Sequence, residues 1–167
     1  MSVASETSRL DGAALEAWRS YLQSHAGILR VLDAELVAEH GLTARDYEVL
    51  LYLAQAADRR LPMSALSERT MLTRSGTTRL IDGLVAEGLI DRVSCHSDAR
   101  ISYAQLTEPG YAKLRKAGCT HIAGIERLFL AHFSPAELEQ LADLLGRLPG
   151  AKLDGGCTAE AGGCSVS

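Results

Sequence analysis

Residues 72–92 read LTRSGTTRLIDGLVAEGLIDR, and this stretch narrows the possible folds more than any other. Leu80, Ile81, Leu84 and Val85 repeat at helical spacing and define one apolar stripe. Thr73 stands where an N-cap is needed and Gly88 where a helix is closed, which predicts a helix from Arg74 to Glu87. Counting back from Leu80 puts Gly76 and Thr77 on or near the buried side. It leaves Arg74, Ser75, Thr78, Arg79 and Asp82 outward. A shorter helix, Met63 to Arg69, precedes it across a tight turn at Thr70–Leu72. Two strand-like runs, Leu89–Ser94 and Ile101–Leu106, follow it and are joined by the polar hairpin Cys95–Arg100. Two helices across a tight turn with a hairpin behind them make a winged helix-turn-helix.

The segments on either side are helical. Leu15, Trp18, Leu22, His25, Leu29, Leu32 and Leu36 step by three and four, a heptad seam on a long helix from about Asp11 to Glu39 that Gly41 closes. Thr43 with Asp46 is a variant capping box and starts a helix with Tyr47, Leu50, Leu51 and Ala54 inward. Ala56–Leu61 reads as a polar loop before Pro62. Thr107 opens a second long helix, and Ser134-Pro135-Ala136-Glu137 opens a last one whose Leu138, Leu141, Leu145 and Leu148 again step by three and four. The expected fold is mainly α with a small β-wing. Residues 1–40 form an N-terminal pairing helix, 41–106 the winged lobe, 107–149 C-terminal pairing helices, and 150–167 a Gly/Cys-rich tail. One copy has too little apolar surface to cover both end seams, which points to a homodimer.

The net charge of −4 argues against indiscriminate coating of nucleic acid, but its distribution is uneven. Residues 1–40 hold three Arg against six acidic residues, whereas residues 59–100 hold seven Arg against five. A local positive surface is what a DNA contact requires. The N-terminus lacks a basic start followed by an apolar run, and no apolar stretch is long enough to cross a bilayer. A cytoplasmic protein without a membrane partner is expected. No Gly-rich phosphate loop, Gly-x-Ser-x-Gly or His-Glu-x-x-His is present, so catalysis and a resident cofactor are not expected.

The exposed first half of the second helix in a helix-turn-helix is the part that enters a major groove. Arginine donates two hydrogen bonds to guanine's acceptor edge, and Ser or Thr reach phosphates or bases. Arg74, Ser75, Thr78 and Arg79 are thereby candidates for DNA contact, with Thr73 at their head. A solvated helix face is the plain alternative. The hairpin adds weight, because Arg100 at its end can enter a minor groove and Asp98 can hold a nearby Arg in place.

The segments AWRSYL, LTARDYEVLLYL, LSERTMLTRSGTTRLIDGLVAEGLIDR, DAR and QLTEPG together resemble the MarR family of transcriptional regulators over nearly the whole chain. The resemblance implies a homodimer with interlocked terminal helices, each winged lobe reading half of a pseudo-palindromic operator in double-stranded DNA. It also implies a repressor released by a small molecule or by oxidation. Thr73, Arg74, Ser75, Thr78 and Arg79 match the start of the family's recognition helix, and Asp98 and Arg100 match its wing motif. Thr77 stands where the family usually has an apolar residue, Gly83 where it often has Arg, and Ala99 where a second wing Arg is common. The family's effector pocket lies where the pairing helices meet the winged lobe, which makes Trp18, Tyr21, His25, Tyr47 and Tyr52 candidates. For Trp18 and His25 a packed dimer core is the better fit of the two readings.

Four cysteines remain. Cys95 sits in the wing beside Arg92 and His96, neighbours that lower a thiol's pKa. Cys119 reads as a small packing residue in mid-helix. Cys157 and Cys164, each behind two glycines, read either as incidental thiols of a flexible tail or as a switch that oxidises or takes a soft metal. On that second reading the rival function is a metal- or redox-binding protein that uses the winged fold as an interaction module.

Overall fold

The computed structural model describes residues 11–94 and 101–149. The elements run α1 (Gly12–His40), α2 (Ala44–Gln55), β1 (Arg60–Pro62), α3 (Met63–Thr70), α4 (Arg74–Ala86), β2 (Ile90–Ser94), β3 (Ser102–Leu106), α5 (Glu108–Leu128) and α6 (Pro135–Leu145). Single turns of 3-10 helix, Ala57–Arg59 and Leu130–His132, lead into β1 and α6. The mainly helical architecture with a small wing is the one expected.

Helix ends follow their local chemistry. Thr43 and Asp46 form a complete capping box, with the Asp46 carboxylate accepting from the Thr43 backbone N–H at 2.8 Å. Ser134 and Glu137 repeat the device at α6. Such caps stabilise a helix start by satisfying backbone N–H groups that have no partner within the helix. Gly41 and Gly88 take positive φ, +63° and +70°, to close α1 and α4.

The core lies in the middle of the chain. Leu36, Leu42, Leu50, Leu53, Leu66, Ile81, Leu84 and Ile90 are all fully buried, joining α1, α2, α3, α4 and β2. At about 1.5–3 kcal/mol for each large apolar side chain removed from water, this cluster dominates the lobe's stability. The chain's ends behave differently. Of the α1 seam only Leu32 and Leu36 are buried, while Trp18, Leu22 and Leu29 stay 43–50% exposed. Helix α6 buries no residue at all. The end helices thus present apolar faces that one copy leaves uncovered.

The wing is a three-stranded antiparallel sheet in the order β1-β3-β2. Ile90 pairs with Leu106 and Ser94 with Ser102; on the other side Arg60 pairs with Gln105 and Pro62 with Tyr103. Strand β1 corrects the expectation of a plain loop over Ala56–Leu61. Three residues ending in proline carry no alternation to detect, yet an edge strand tolerates proline because its outer side needs no N–H donor. The residues of the hairpin, Cys95–Arg100, lie outside the described residues.

Helix α5 ties the parts together. Thr107 donates to the Gly88 carbonyl at 2.8 Å and caps α5 by accepting from Gly110 N–H at 3.0 Å. Further along α5, Thr120 donates to Glu39 at 2.7 Å and meets His40 Nε2 at 2.8 Å, and Arg127 pairs with Glu35. These contacts clasp α5 to the second half of α1.

Candidate nucleic-acid interface

The recognition segment is built from its cap outward. Met71 adopts a left-handed conformation, φ +53°, and turns the chain between α3 and α4. Thr73 caps α4, its hydroxyl accepting from Gly76 N–H at 3.2 Å. Thr77 is buried, and its hydroxyl donates to the Thr73 carbonyl at 3.2 Å while accepting from Ser67 of α3 at 2.9 Å. A polar residue facing the core is thereby satisfied, and α3 is fastened to α4.

The opposite side of α4 is open. Arg74, Ser75, Thr78 and Arg79 are all exposed, and Thr73 Oγ1 lies 3.2 Å from Ser75 Oγ at their head. Among the described residues neither Arg74 nor Arg79 has an ion-pair partner. The first turn carries no acid that would offset the positive pole of the helix. Asp82, the one acid on this face, is already engaged by Arg92 of β2 at 2.6 Å. Among the described residues, two unengaged guanidinium groups with hydroxyls between them form a surface of donors with no competing carboxylate.

The chain is similar to known proteins in sequence and in fold. Residues 40–101 match the MarR family. The repressor YetL of Bacillus subtilis is 27% identical over 139 residues, spanning 83% of this chain and 82% of YetL. AbsC, a MarR family transcriptional regulator from Streptomyces coelicolor, superposes with a TM-score of 0.78 at 32% identity, over 83% of this chain and 93% of AbsC. The chain belongs to the MarR family of transcriptional regulators. A second MarR family regulator from Streptomyces coelicolor, solved in complex with DNA, superposes with a TM-score of 0.77 at 27% identity, over 87% of this chain and 97% of that one.

In the single chain the candidate effector residues lie at three places on α1 and α2. Trp18, Tyr21 and His25 make a ladder along α1, with ring centroids 6.1 Å apart at each step and every ring exposed. Tyr21 and His25 line a cavity of about 680 Å³ between the first half of α1 and the segment from Leu128 to α6, which His132 and Phe133 also line. Tyr47 packs instead against His121 of α5, centroids 4.7 Å apart. Tyr52 donates to Glu48 at 2.9 Å and lies under the Arg69 guanidinium at 5.5 Å. The first half of α1, which carries Trp18, Tyr21 and His25, adds no residue to the buried core, whereas Tyr47 and Tyr52 of α2 pack against that core.

His121 was not legible as a functional candidate. Its Nδ1 is buried without a hydrogen-bond partner among the described residues, and burial lowers its pKa from the ordinary 6.5. Cys119 is exposed rather than packed, a second correction, because α5 turns its Ala117–Gly118 face inward and position 119 falls outside it. Cys95, Asp98, Arg100, Cys157 and Cys164 lie outside the described residues. Among the described residues no three metal-ligating side chains converge, and no helix is long and apolar enough to cross a membrane.

Proposed function

We propose that this MarR family regulator acts as a homodimeric repressor that binds a pseudo-palindromic operator. Arg74, Ser75, Thr78 and Arg79 enter the major groove behind the Thr73 cap, and Arg100 reaches the adjacent minor groove with Asp98 holding it. The observation that carries this reading is the pair of guanidinium groups on the exposed first half of α4 that have no ion-pair partner among the described residues. It is supported by the likeness to a regulator solved with DNA and to a repressor.

Pairing through the ends is supported by the apolar surface left on α1, on α6 and just beyond it, where Trp18, Leu22, Leu29, Leu144 and Leu148 stand 43–55% exposed. A patch of that kind on a folded chain marks an interface. A two-fold pair sets two recognition helices about one duplex turn apart, which is why the operator is palindromic.

Release by a small molecule is the regulation the geometry favours. The cavity beside Tyr21 and His25 is largely apolar and carries two imidazoles, and a second chain laid across the ends would close its open side. The test is binding of a labelled fragment from upstream of the regulator's own and neighbouring genes at about 150 mM salt. Retention of one fragment over unrelated DNA by a two-chain species supports the reading. A lone chain that ignores every fragment overturns it.

A further inference from the structure

We infer that the cleft between α3, α4 and β3 seats a backbone phosphate of the bound duplex. In this division of labour Arg74 and Thr78 hold the DNA strand, and Ser75 and Arg79 are left to read base edges. The inference rests on the DNA-binding reading above and refines it.

The cleft has a volume of about 330 Å³ and is lined by Ser64 and Ser67 of α3, Arg74 and Thr78 of α4 and Ser102 of β3, together with apolar side chains. Among the described residues its polar lining is hydroxyls and one guanidinium, without a carboxylate. That is the donor set a phosphodiester's free oxygens require, and it repels no anion. Ser67 is committed elsewhere, since its hydroxyl donates to Thr77, which in turn donates to the Thr73 carbonyl. It fixes the spacing of the cleft's two helical walls instead of supplying a donor. Among the described residues the side chains of Ser64, Arg74, Thr78 and Ser102 have no hydrogen-bond partner, so four donors from three elements remain for one ligand.

The periodicity of α4 separates the roles. Arg74 and Thr78 lie one turn apart on one ridge and both line the cleft; Ser75 and Arg79 lie one turn apart on the next ridge and do not. The cleft joins the recognition helix to the root of the wing, so a strand passing between those two elements crosses it. This continuity with the exposed face of α4 selects a duplex phosphate over a free anion as the occupant.

The experiment starts from a duplex selected out of a random library with the wild-type protein. Ser64→Ala/Ser102→Ala is expected to weaken binding of that duplex about 5- to 30-fold, as loss of hydroxyl donors to a charged group should. Repeated selection with this variant should recover the wild-type sequence. Arg74→Ala should likewise keep the sequence and lower the salt slope by about 1, whereas Arg79→Ala should relax one or two base positions. A methylphosphonate scan should find a position in each half-site that weakens wild type and no longer weakens the Ser64→Ala/Ser102→Ala protein. If that variant binds within two-fold of wild type, or Arg74→Ala relaxes base preference as Arg79→Ala does, the phosphate seat is wrong while the DNA-binding reading stands. If the wild type selects no duplex, the DNA-binding reading itself fails. Inorganic phosphate at constant ionic strength is the last arm. Release of DNA from wild type more readily than from the double variant is expected of a competitor for the cleft, and equal release from both would overturn the inference.

Discussion

Arg92 of β2 donates to the carboxylate of Asp82 on α4 across 2.6 Å, tying the recognition helix to the wing. Both side chains are well exposed, so the pair contributes little to stability, about 0.2–1 kcal/mol. Its larger effect is on charge: it removes a carboxylate from the field a phosphate would meet. Asp82→Asn is expected to leave the melting temperature within about 3 °C while tightening binding to unrelated DNA and steepening its salt dependence, because Arg92 becomes available to the duplex. Fluorescence anisotropy at several salt concentrations measures both. An unchanged slope would show that Arg92 stays away from DNA when released.

Two glycines make opposite predictions. A Cβ on Gly110 would stand 2.1 Å from the Leu89 carbonyl oxygen, a backbone atom with no freedom to yield, because α5 begins against the end of the α4–β2 connection. Gly110→Ala should destabilise by at least about 3 kcal/mol or prevent folding. Gly83 is exposed in mid-helix with nothing within 4 Å of its added Cβ. Gly83→Ala should stabilise by about 0.5–1 kcal/mol through helix propensity alone. Urea unfolding at one protein concentration distinguishes the two, and the same sign for both would refute the packing argument.

Most of the fold was readable because its signals are local. Caps at Thr43, Thr73, Thr107 and Ser134 and stops at Gly41 and Gly88 each lie within a few residues of the element they define. Strand β1 was not readable, since its pairing partner in β3 is more than forty residues away and its own three residues carry no pattern. Thr77 shows the intermediate case. Helical spacing put it on the buried side, but only the folded chain shows that Ser67 and the Thr73 carbonyl satisfy its hydroxyl.

For the site, periodicity alone sorted α4 into inward and outward faces. It could not divide the outward face, because the cleft that separates Arg74 from Arg79 is made by residues of α3 and β3. Ser64 and Ser102 carry no local signal of function, and nothing in the spacing of α1 and α2 says that Tyr21 and Tyr47 end at different levels of the molecule.

His121 makes stability depend on pH. Burial beside Tyr47 holds its pKa below the ordinary 6.5, and its Nδ1 has no acceptor to receive a proton's hydrogen bond. The unfolded chain therefore binds this proton more readily than the folded one. The neutral ring's contribution is complete above about pH 6.5 and is lost as the pH falls below that value toward the folded-state pKa. Thermal melts from pH 8 to 5 should show a decline that His121→Leu reduces. Identical declines in the two proteins would assign the acid sensitivity to other groups.

The uncovered ends give the most direct test of assembly. Leu22 of α1 and Leu144 of α6 are 43% and 55% exposed in the single chain. If a second chain covers them, a carboxylate at either position is taken out of water without a partner, which costs several kcal/mol. Leu22→Glu or Leu144→Glu should then raise the dimer dissociation constant at least about 100-fold and leave the lobe folded, because neither residue belongs to the buried core. Sedimentation equilibrium reads the mass. Trp18, the chain's only tryptophan, lies one turn from Leu22 and reports locally through its emission, which should shift red as the pair separates. Operator affinity should fall with the dimer, since a single lobe engages one half-site. A wild-type protein that sediments as one chain, or glutamate variants that sediment as the wild-type pair does, would place the interface elsewhere.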